Sequence, residues 1–254
     1  MQLNNKQFSQ NDLSILIHKD GFSFCTLEQH YFLPLEETPP SVDSLKSFLD
    51  YHQIEQSRAH LIFMNHPAVC VPQSLFDENK KKAYVTTAME LTKELSINHQ
   101  TLKSLDITLV YPSEPHWLTL FQSVFAQLEI THLNAALLPA LSAFSFGKAK
   151  KNLFLHLRKD HFDLMLFQGG QLLAQNSFPH KNADDFLYYL FYVTEQFFLK
   201  PEQFNLYFLG RYLTYSDYYK GVQEFHPQVD YLDPQFPSLD PKHPAPFFQS
   251  FLPS

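Results

Sequence analysis

The stretch NLFLHLRKDHFDLMLFQGGQLLAQNSFPHKNADDFLYYLFYVTEQFFLKPEQFNLYFLG, Asn152 to Gly210, decides how this chain folds. Leu153–Leu157 and Phe162–Phe167 carry alternating or continuous apolar residues, the pattern of strands. Gly169-Gly170 makes a tight turn into a third strand, Gln171–Phe178. A helix over Asp184–Leu199 follows, and Asn205–Leu209 is a short apolar run of the kind buried on both faces of a sheet. Strand, strand, strand, helix, strand predicts an α/β unit with a mixed sheet. Tyr215–Phe225 and Val229–Leu232 add a helix and a strand.

The first half follows the same plan. Leu13–His18 alternates as a strand, Asp20-Gly21 is a hairpin-turn dipeptide favoured where φ is positive, and Phe22–Leu27 returns. His30–Leu33 adds a third strand, and Ser41 and Ser44 offer caps for a helix over Asp43–His52. Ala59–Met64 is a buried strand and Ala68–Pro72 a short one. Tyr84, Ala88, Leu91 and Leu95 fall at helical spacing, which predicts a long amphipathic helix over Asp77–Leu95. Ile107–Tyr111 is a strand, His116–Leu128 a helix opened by Pro115, and Ile130–Leu133 closes the half. Leu137–Phe146 is an apolar helix with Gly147 beyond its end. The polar run Lys148-Ala149-Lys150-Lys151 places a boundary. The expected organisation is therefore a first subdomain over 1–147 with an inserted strand–helix segment, a second over 152–233, and a proline-rich tail over 234–254. The recurrence is architectural, with no residue-level repeat read from it. In the tail, Phe247, Phe248 and Phe251 are available as anchors.

The chain has 254 residues, 44% of them hydrophobic, with 26 Phe and 13 Tyr, enough for substantial cores. Its net charge of −7 argues against a nucleic-acid partner, which needs a clustered basic face. The one basic run, Lys80-Lys81-Lys82, reads as the solvated face of a helix. Cys25 and Cys70 sit in apolar strand contexts and imply no disulfide framework. No signal pattern or run of about 20 apolar residues is present, so the expected location is the cytoplasm, without membrane insertion.

The run Asn176-Ser-Phe-Pro-His-Lys-Asn-Ala-Asp-Asp-Phe-Leu-Tyr-Tyr, with Glu195-Gln196 and Leu206-Tyr-Phe-Leu-Gly after it, resembles an uncharacterised bacterial family, the domain of unknown function 3822. The resemblance extends over nearly all of the chain before the tail. It implies an actin-like (ribonuclease H-like) ATPase fold, and it brings no activity, substrate or catalytic residue. In working members of that superfamily the first hairpin holds an Asp-x-Gly phosphate loop and a Gly-Gly pair receives adenosine. The corresponding positions here read His156-Leu157-Arg158-Lys159-Asp160 and Leu209-Gly210-Arg211. The fold also serves scaffolds of pilus assembly and secretion, an analogy of fold alone.

Nucleotide chemistry then has few candidates. Of six glycines, Gly21, Gly147, Gly169, Gly170 and Gly210 fit turns or element ends and Gly221 falls in a helix, leaving none for a phosphate cradle. Neither G-x-x-x-x-G-K-[ST] nor G-x-G-x-x-G occurs. Were Mg-ATP the cofactor, Asp20, Ser23, Asp160 and Gly210 would be its residues. Phe22, Arg158 and Arg211 are expected to fill the cleft instead. His156, Asp160, His161 and Asp163 form the densest set of metal-ligand types. Arg158 and Lys159 oppose a cation there, which favours a hairpin tip pairing its own charges. Asp184 and Asp185 diverge by about 100° on a helix, so they suit the helix dipole with Asn182 as cap rather than acid–base chemistry. Phe186, Tyr189, Leu190 and Val193 read as core, while Tyr188 and Tyr192 suit either packing or contact with a partner. No catalytic, metal or cofactor residue is assigned. The expected function is a non-catalytic interaction or scaffold role toward an unassigned protein partner, with a divergent Mg-ATP-binding kinase or ATPase as the alternative.

Overall fold

The computed structural model describes residues 13–26, 29–35, 40–55 and 58–232. The proline-rich tail, with its three phenylalanine anchors, lies outside the described residues. Strands β1 (Leu13–Ile17), β2 (Gly21–Cys25) and β3 (His30–Pro34) form an antiparallel meander. Helix α1 (Val42–Tyr51) is capped by Ser41, whose side chain accepts the Ser44 amide at 3.1 Å. It leads into β4 (Arg58–Phe63), parallel to β1. Then comes an excursion: β5 (Val69–Pro72), the short helix α2 (Lys81–Val85), β6 (Ser96–Leu102), β7 (Ile107–Ser113) and α3 (Pro115–Gln122). Strands β5, β7 and β6 make their own antiparallel sheet. The chain returns to the first sheet as β8 (Gln127–His132), parallel to β4, and continues into α4 (Leu133–Ser145).

The second half repeats the layout. β9 (Lys151–Leu157), β10 (His161–Gln168) and β11 (Gln171–Pro179) are the meander, and α5 (Ala183–Gln196) is capped by Asn182. β12 (Phe204–Leu209) lies parallel to β9, and α6 (Ser216–Phe225) precedes β13 (Val229–Leu232). The strand orders are β3-β2-β1-β4-β8 and β11-β10-β9-β12-β13. The two meanders belong to separate sheets of matching order, as the sequence predicts.

The long helix expected over Asp77–Leu95 does not form. A single 3₁₀ turn and five helical residues are followed by turns, and the polar edge strand β6 was not foreseen. Thr86 and Thr87 donate their hydroxyls to the Ala83 and Tyr84 carbonyls at 2.9 and 2.6 Å. Such bonds offer the backbone an alternative to continued helix. Tyr84, counted toward the helical stripe, instead ties the loop, donating to Leu75 O and accepting from the Asp77 amide at 3.0 Å. The helix expected over His116–Leu128 stops at Gln122, where Ser123 Oγ bonds back to Leu120 O at 2.6 Å. The helix expected over Leu137–Phe146 starts a turn earlier, because His132 Nδ1 accepts the Asn134 amide and caps it.

Both sheets are covered on two faces, so alternate residues of one strand enter different cores. Ile15, Ile17, Phe22 and Phe24 pack with α1 and with Trp117 and Phe121 of α3. Leu153, Leu155, Phe162 and Leu164 pack with Phe186 and Leu190 of α5 and Val222 of α6. Between the sheets runs α4: its Leu137, Leu138 and Leu141 share a core with Leu16 and Ile62 on one side and Phe154, Met165 and Phe167 on the other. Each of these buried side chains stabilises by roughly 1.5–3 kcal/mol relative to exposure. The helix therefore fixes the spacing of the sheets, and their hairpin turns face each other.

Candidate functional site

The turn joining β1 to β2 is His18-Lys19-Asp20, closed by the His18 amide donating to Gly21 O at 2.9 Å. The turn joining β9 to β10 is Arg158-Lys159-Asp160, closed by the Arg158 amide donating to His161 O at the same 2.9 Å. In each, the chain leaving the third strand returns to tie the turn. Leu35 donates to Asp20 O at 2.7 Å, and His180 donates to Asp160 O at 2.9 Å. The two turns thus match position by position: His18 with Arg158, Lys19 with Lys159, Asp20 with Asp160, Gly21 with His161. Across the gap the matched charges exchange partners. Lys19 pairs with Asp160, and Lys159 with Asp20 at 3.4 Å. The second hairpin pairs its charges with itself, His161 with Asp160 at 2.6 Å and Arg158 with Asp163 at 2.7 Å, as the sequence predicts, and it also pairs its tip with the first hairpin, which the sequence pattern does not report. A residue-level repeat does exist here, and its signal was a Lys-Asp dipeptide at one offset beyond each apolar run.

Gly21 is not in the left-handed region, against the expectation of a positive φ. It is glycine for room, because a Cβ there would lie 2.4 Å from the Leu33 carbonyl oxygen of β3.

Behind the second turn lies buried charge. Arg158 and Asp163 are both buried, and Arg158 Nη2 donates to Asp163 Oδ1 at 2.7 Å. Ser177 donates to the same oxygen, and His156 Nδ1 lies 3.5 Å from Oδ2. Burial alone would raise the Asp163 pKa, but the guanidinium and the two histidines outweigh it and hold the carboxyl well below the usual range. For Asp160 burial is again outweighed, by hydrogen bonds from His161 and Lys19. His161 is pushed down to about 4 by burial and by Arg158. His132 is likewise pushed down to about 4 by burial. His180 Nε2 donates to Arg158 O at 2.9 Å, and Tyr218 OH pairs with its Nδ1 at 3.0 Å, which locks this turn from below.

The facing turns enclose a cavity of about 230 Å³, walled also by Met64, Asn65, Thr214 and Tyr215. Asp20 and Asp160 stand in this wall together. Ser23 is buried behind the first turn, its Oγ 2.9 Å from His18 Nε2. Gly210, at φ +88°, is overhung by the Tyr212 side chain and does not line the cavity. Of the residues expected to fill the cleft, only Arg158 does. Phe22 points into the first core, edge-on to Trp117 and Phe121. Arg211 lies over the Tyr231 ring at 4.8 Å, in a separate concavity. The alternation of β2 sends Phe22 inward, away from the turn. His156, Asp160, His161 and Asp163 do not assemble as ligands, and among the described residues no three His, Cys, Asp or Glu side chains converge on a metal position. Asp184 and Asp185 open α5, with the Asp185 amide donating to Asn182 Oδ1 at 2.9 Å. Tyr188 and Tyr192 are exposed on that helix.

The family described as "protein of unknown function (DUF3822)" matches residues 1–229. No curated protein matches the chain. A solved structure from Bacteroides thetaiotaomicron VPI-5482, described as a protein with actin-like ATPase fold and unknown function, is similar over 91% of this chain and 94% of that one. Its TM-score is 0.75 at 20% identity. A chain of a "PilM-PilN type IV pilus biogenesis complex" is similar over 91% and 88%, with a TM-score of 0.56 at 11% identity. The fold is the actin-like ATPase fold, with two sheet subdomains. Among the described residues no helix is long and apolar enough to cross a membrane.

Proposed function

We propose, from the premise that this chain belongs to the DUF3822 family, that it is a non-catalytic protein-interaction module on an actin-like ATPase frame. The carrying observation is the exchange of ion pairs between the two hairpin turns, Lys19 with Asp160 and Lys159 with Asp20. Working members of the fold keep this gap open for nucleotide phosphates. Here the two turns satisfy each other. Polyphosphate with magnesium would have to break both pairs, against Asp20 and Asp160 in the same wall. Exposed Tyr188 and Tyr192, with Phe198 at the end of α5, supply amphipathic contact area suited to a protein partner. The similarity to a chain from a pilus-biogenesis complex is in keeping with such a role, as an analogy of fold.

The second reading, a divergent Mg-ATP-binding enzyme, draws on one observation: Asp20 and Asp160 do face the same cavity. Isothermal titration calorimetry with Mg-ATP decides between them. No binding tighter than about 1 mM is expected. Tighter binding that is lost in Asp20→Asn or Asp160→Asn would replace the first reading with the second.

A further inference from the structure

A helix that closes with the chain in the left-handed region usually takes glycine there, because only glycine has no Cβ to clash. In α1 that position is Gln53, at φ 55°, and in α5 it is Phe198, at φ 51°. The closing hydrogen bonds match. Gln53 donates to Asp50 O at 3.1 Å and Ile54 to Leu49 O at 2.9 Å; Phe198 donates to Glu195 O at 3.0 Å and Leu199 to Thr194 O at 2.8 Å. The first half fills the strained position with a polar side chain, the second with a bulky ring, the kind of residue least at ease there. No contact inside the molecule offsets that strain: Phe198 is 88% exposed and makes no ring contact among the described residues.

The same helix presents a stripe. With a step of about 100° per residue, Asp184, Tyr188, Tyr192 and Glu195 share one face of α5. All four are exposed, opposite buried Phe186, Leu190 and Val193. Two tyrosines thus lie between two carboxylates spaced roughly 16 Å along the axis. Helix α5 contains no basic residue, and neither Asp184 nor Glu195 has an ion pair among the described residues.

We propose that this face of α5, ending at Phe198, docks a basic amphipathic helix of another protein. Apolar side chains of that helix pack on Tyr188, Tyr192 and Phe198, ridge into groove. Its lysines or arginines meet Asp184 and Glu195 and the faces of the tyrosine rings. Charge selects this occupant. A second copy of α5 laid along the stripe would set acid against acid at both ends, in either direction. The chain's own segment 234–254 has six prolines and a single basic residue besides His243, Lys242, which suits no basic helix. The inference names the partner class for the interaction-module reading and rests on that reading.

Fluorescence anisotropy with the full chain tests it. The probe is a labelled peptide of about 18 residues, leucine on one face and lysine on the other, beside the same peptide with glutamate for lysine. The lysine peptide is expected to bind saturably with a Kd on the order of 10 μM, and the glutamate peptide at least about tenfold more weakly. Phe198→Gly should weaken the lysine peptide about tenfold while raising the melting temperature by about 2–4 °C, since glycine takes the left-handed turn without strain. Glu195→Lys suits the C-terminal end of the helix dipole and should shift preference toward the glutamate peptide. Tyr51→Ala removes an exposed ring from the matching helix α1 and should leave binding unchanged. Silence from the lysine peptide, equal binding of both peptides, or binding that Phe198→Gly and Glu195→Lys leave intact overturns the proposal. So does equal loss in Tyr51→Ala, which would make the peptide a general hydrophobic probe. A lower melting temperature in Phe198→Gly would give the ring to the chain's own packing and overturn it as well. A dimer in sedimentation that Tyr192→Asp breaks assigns the face to a second copy, and competition by a 234–254 peptide assigns it to the tail; either removes the outside helix. Mg-ATP binding lost in Asp20→Asn sinks the interaction-module reading itself and is read independently of the peptides.

Discussion

At His18–Gly21 and at Arg158–His161 the chain makes the same turn twice, with the same closing hydrogen bond and the same Lys-Asp tip, yet the ground behind each turn differs. Behind the first, His18 Nε2 meets Ser23 Oγ at 2.9 Å. Behind the second, Arg158 meets Asp163 at the matching positions, fully buried and surrounded by Ser177 and His156. One backbone solution therefore carries a histidine–serine hydrogen bond on one side and a buried ion pair on the other. Turn geometry is set by local hydrogen bonds and tolerates either, whereas the energetic consequences diverge, because a buried charge is safe only while its partner remains.

Removing a partner from each turn should expose that difference most strongly. Arg158→Met leaves the Asp163 carboxylate buried without its cation and should cost about 3–5 kcal/mol of stability. His18→Ala at the matching position removes the hydrogen bond to Ser23 and should cost about 1 kcal/mol. Urea unfolding of both variants reads the contrast. Equal losses would mean that Asp163 is compensated by His156 and Ser177 alone, and the two turns would then be energetically alike.

Acid should act through the second turn before the first. The first turn places Gly21 where the second places His161, so only one side of the gap carries a buried imidazole at that position. His161 and His132 titrate near pH 4 in the folded chain, against about 6.5 when unfolded. Their depressed values mean that stability is fully present above pH about 6.5 and is lost as pH falls toward 4, because the unfolded state binds protons that the native state refuses. Each contributes at most about 3 kcal/mol to that loss. Asp163 enters only below the ordinary carboxylate range of about 3.9, again by losing stability as pH falls. Denaturation midpoints between pH 7 and 4.5 should therefore decline in the wild type and decline visibly less in His161→Gln. An identical slope in that variant would assign the acid response elsewhere.

The sequence carried the frame well and the site poorly, for separate reasons. Apolar alternation and the Asp184–Asp185 helix start survive translation into structure because each depends on neighbours within a few residues. The matching of Lys19 to Asp160 depends on two turns brought together across α4 by tertiary packing, and no local pattern reports that distance. Phe22 enters the core rather than the cleft, and a turn position says little about which face the following strand presents. The helix expected over Asp77–Leu95 does not form because threonine hydroxyls and the Tyr84 hydroxyl are committed to loop contacts that spacing cannot reveal. Asn65, which stands in the cavity wall, follows β4 with no motif around it.

The smallest expected effect concerns the feature the two turns share. Both crossing pairs are partly exposed, with side chains 44% and 43% accessible for Lys19 and Asp160 and 65% and 36% for Lys159 and Asp20. Pairs of that exposure couple by under about 1 kcal/mol and are screened by salt. Double-mutant cycles with Lys19→Ala and Asp160→Ala, and with Lys159→Ala and Asp20→Ala, measure each coupling separately. The first should be the larger, because Asp160 is also held by His161 at 2.6 Å and so meets Lys19 already oriented. Asp20 has no such anchor among the described residues, and its lysine stands at 3.4 Å. Both couplings should shrink in 1 M salt, where the screening length is about 3 Å. Equal couplings would show that the histidine does nothing for the pair. A coupling well above 1 kcal/mol in either would mean that the turns clasp more tightly than surface charge allows, and that closure of the gap, rather than the buried Arg158–Asp163 pair, dominates the energetics between the sheets.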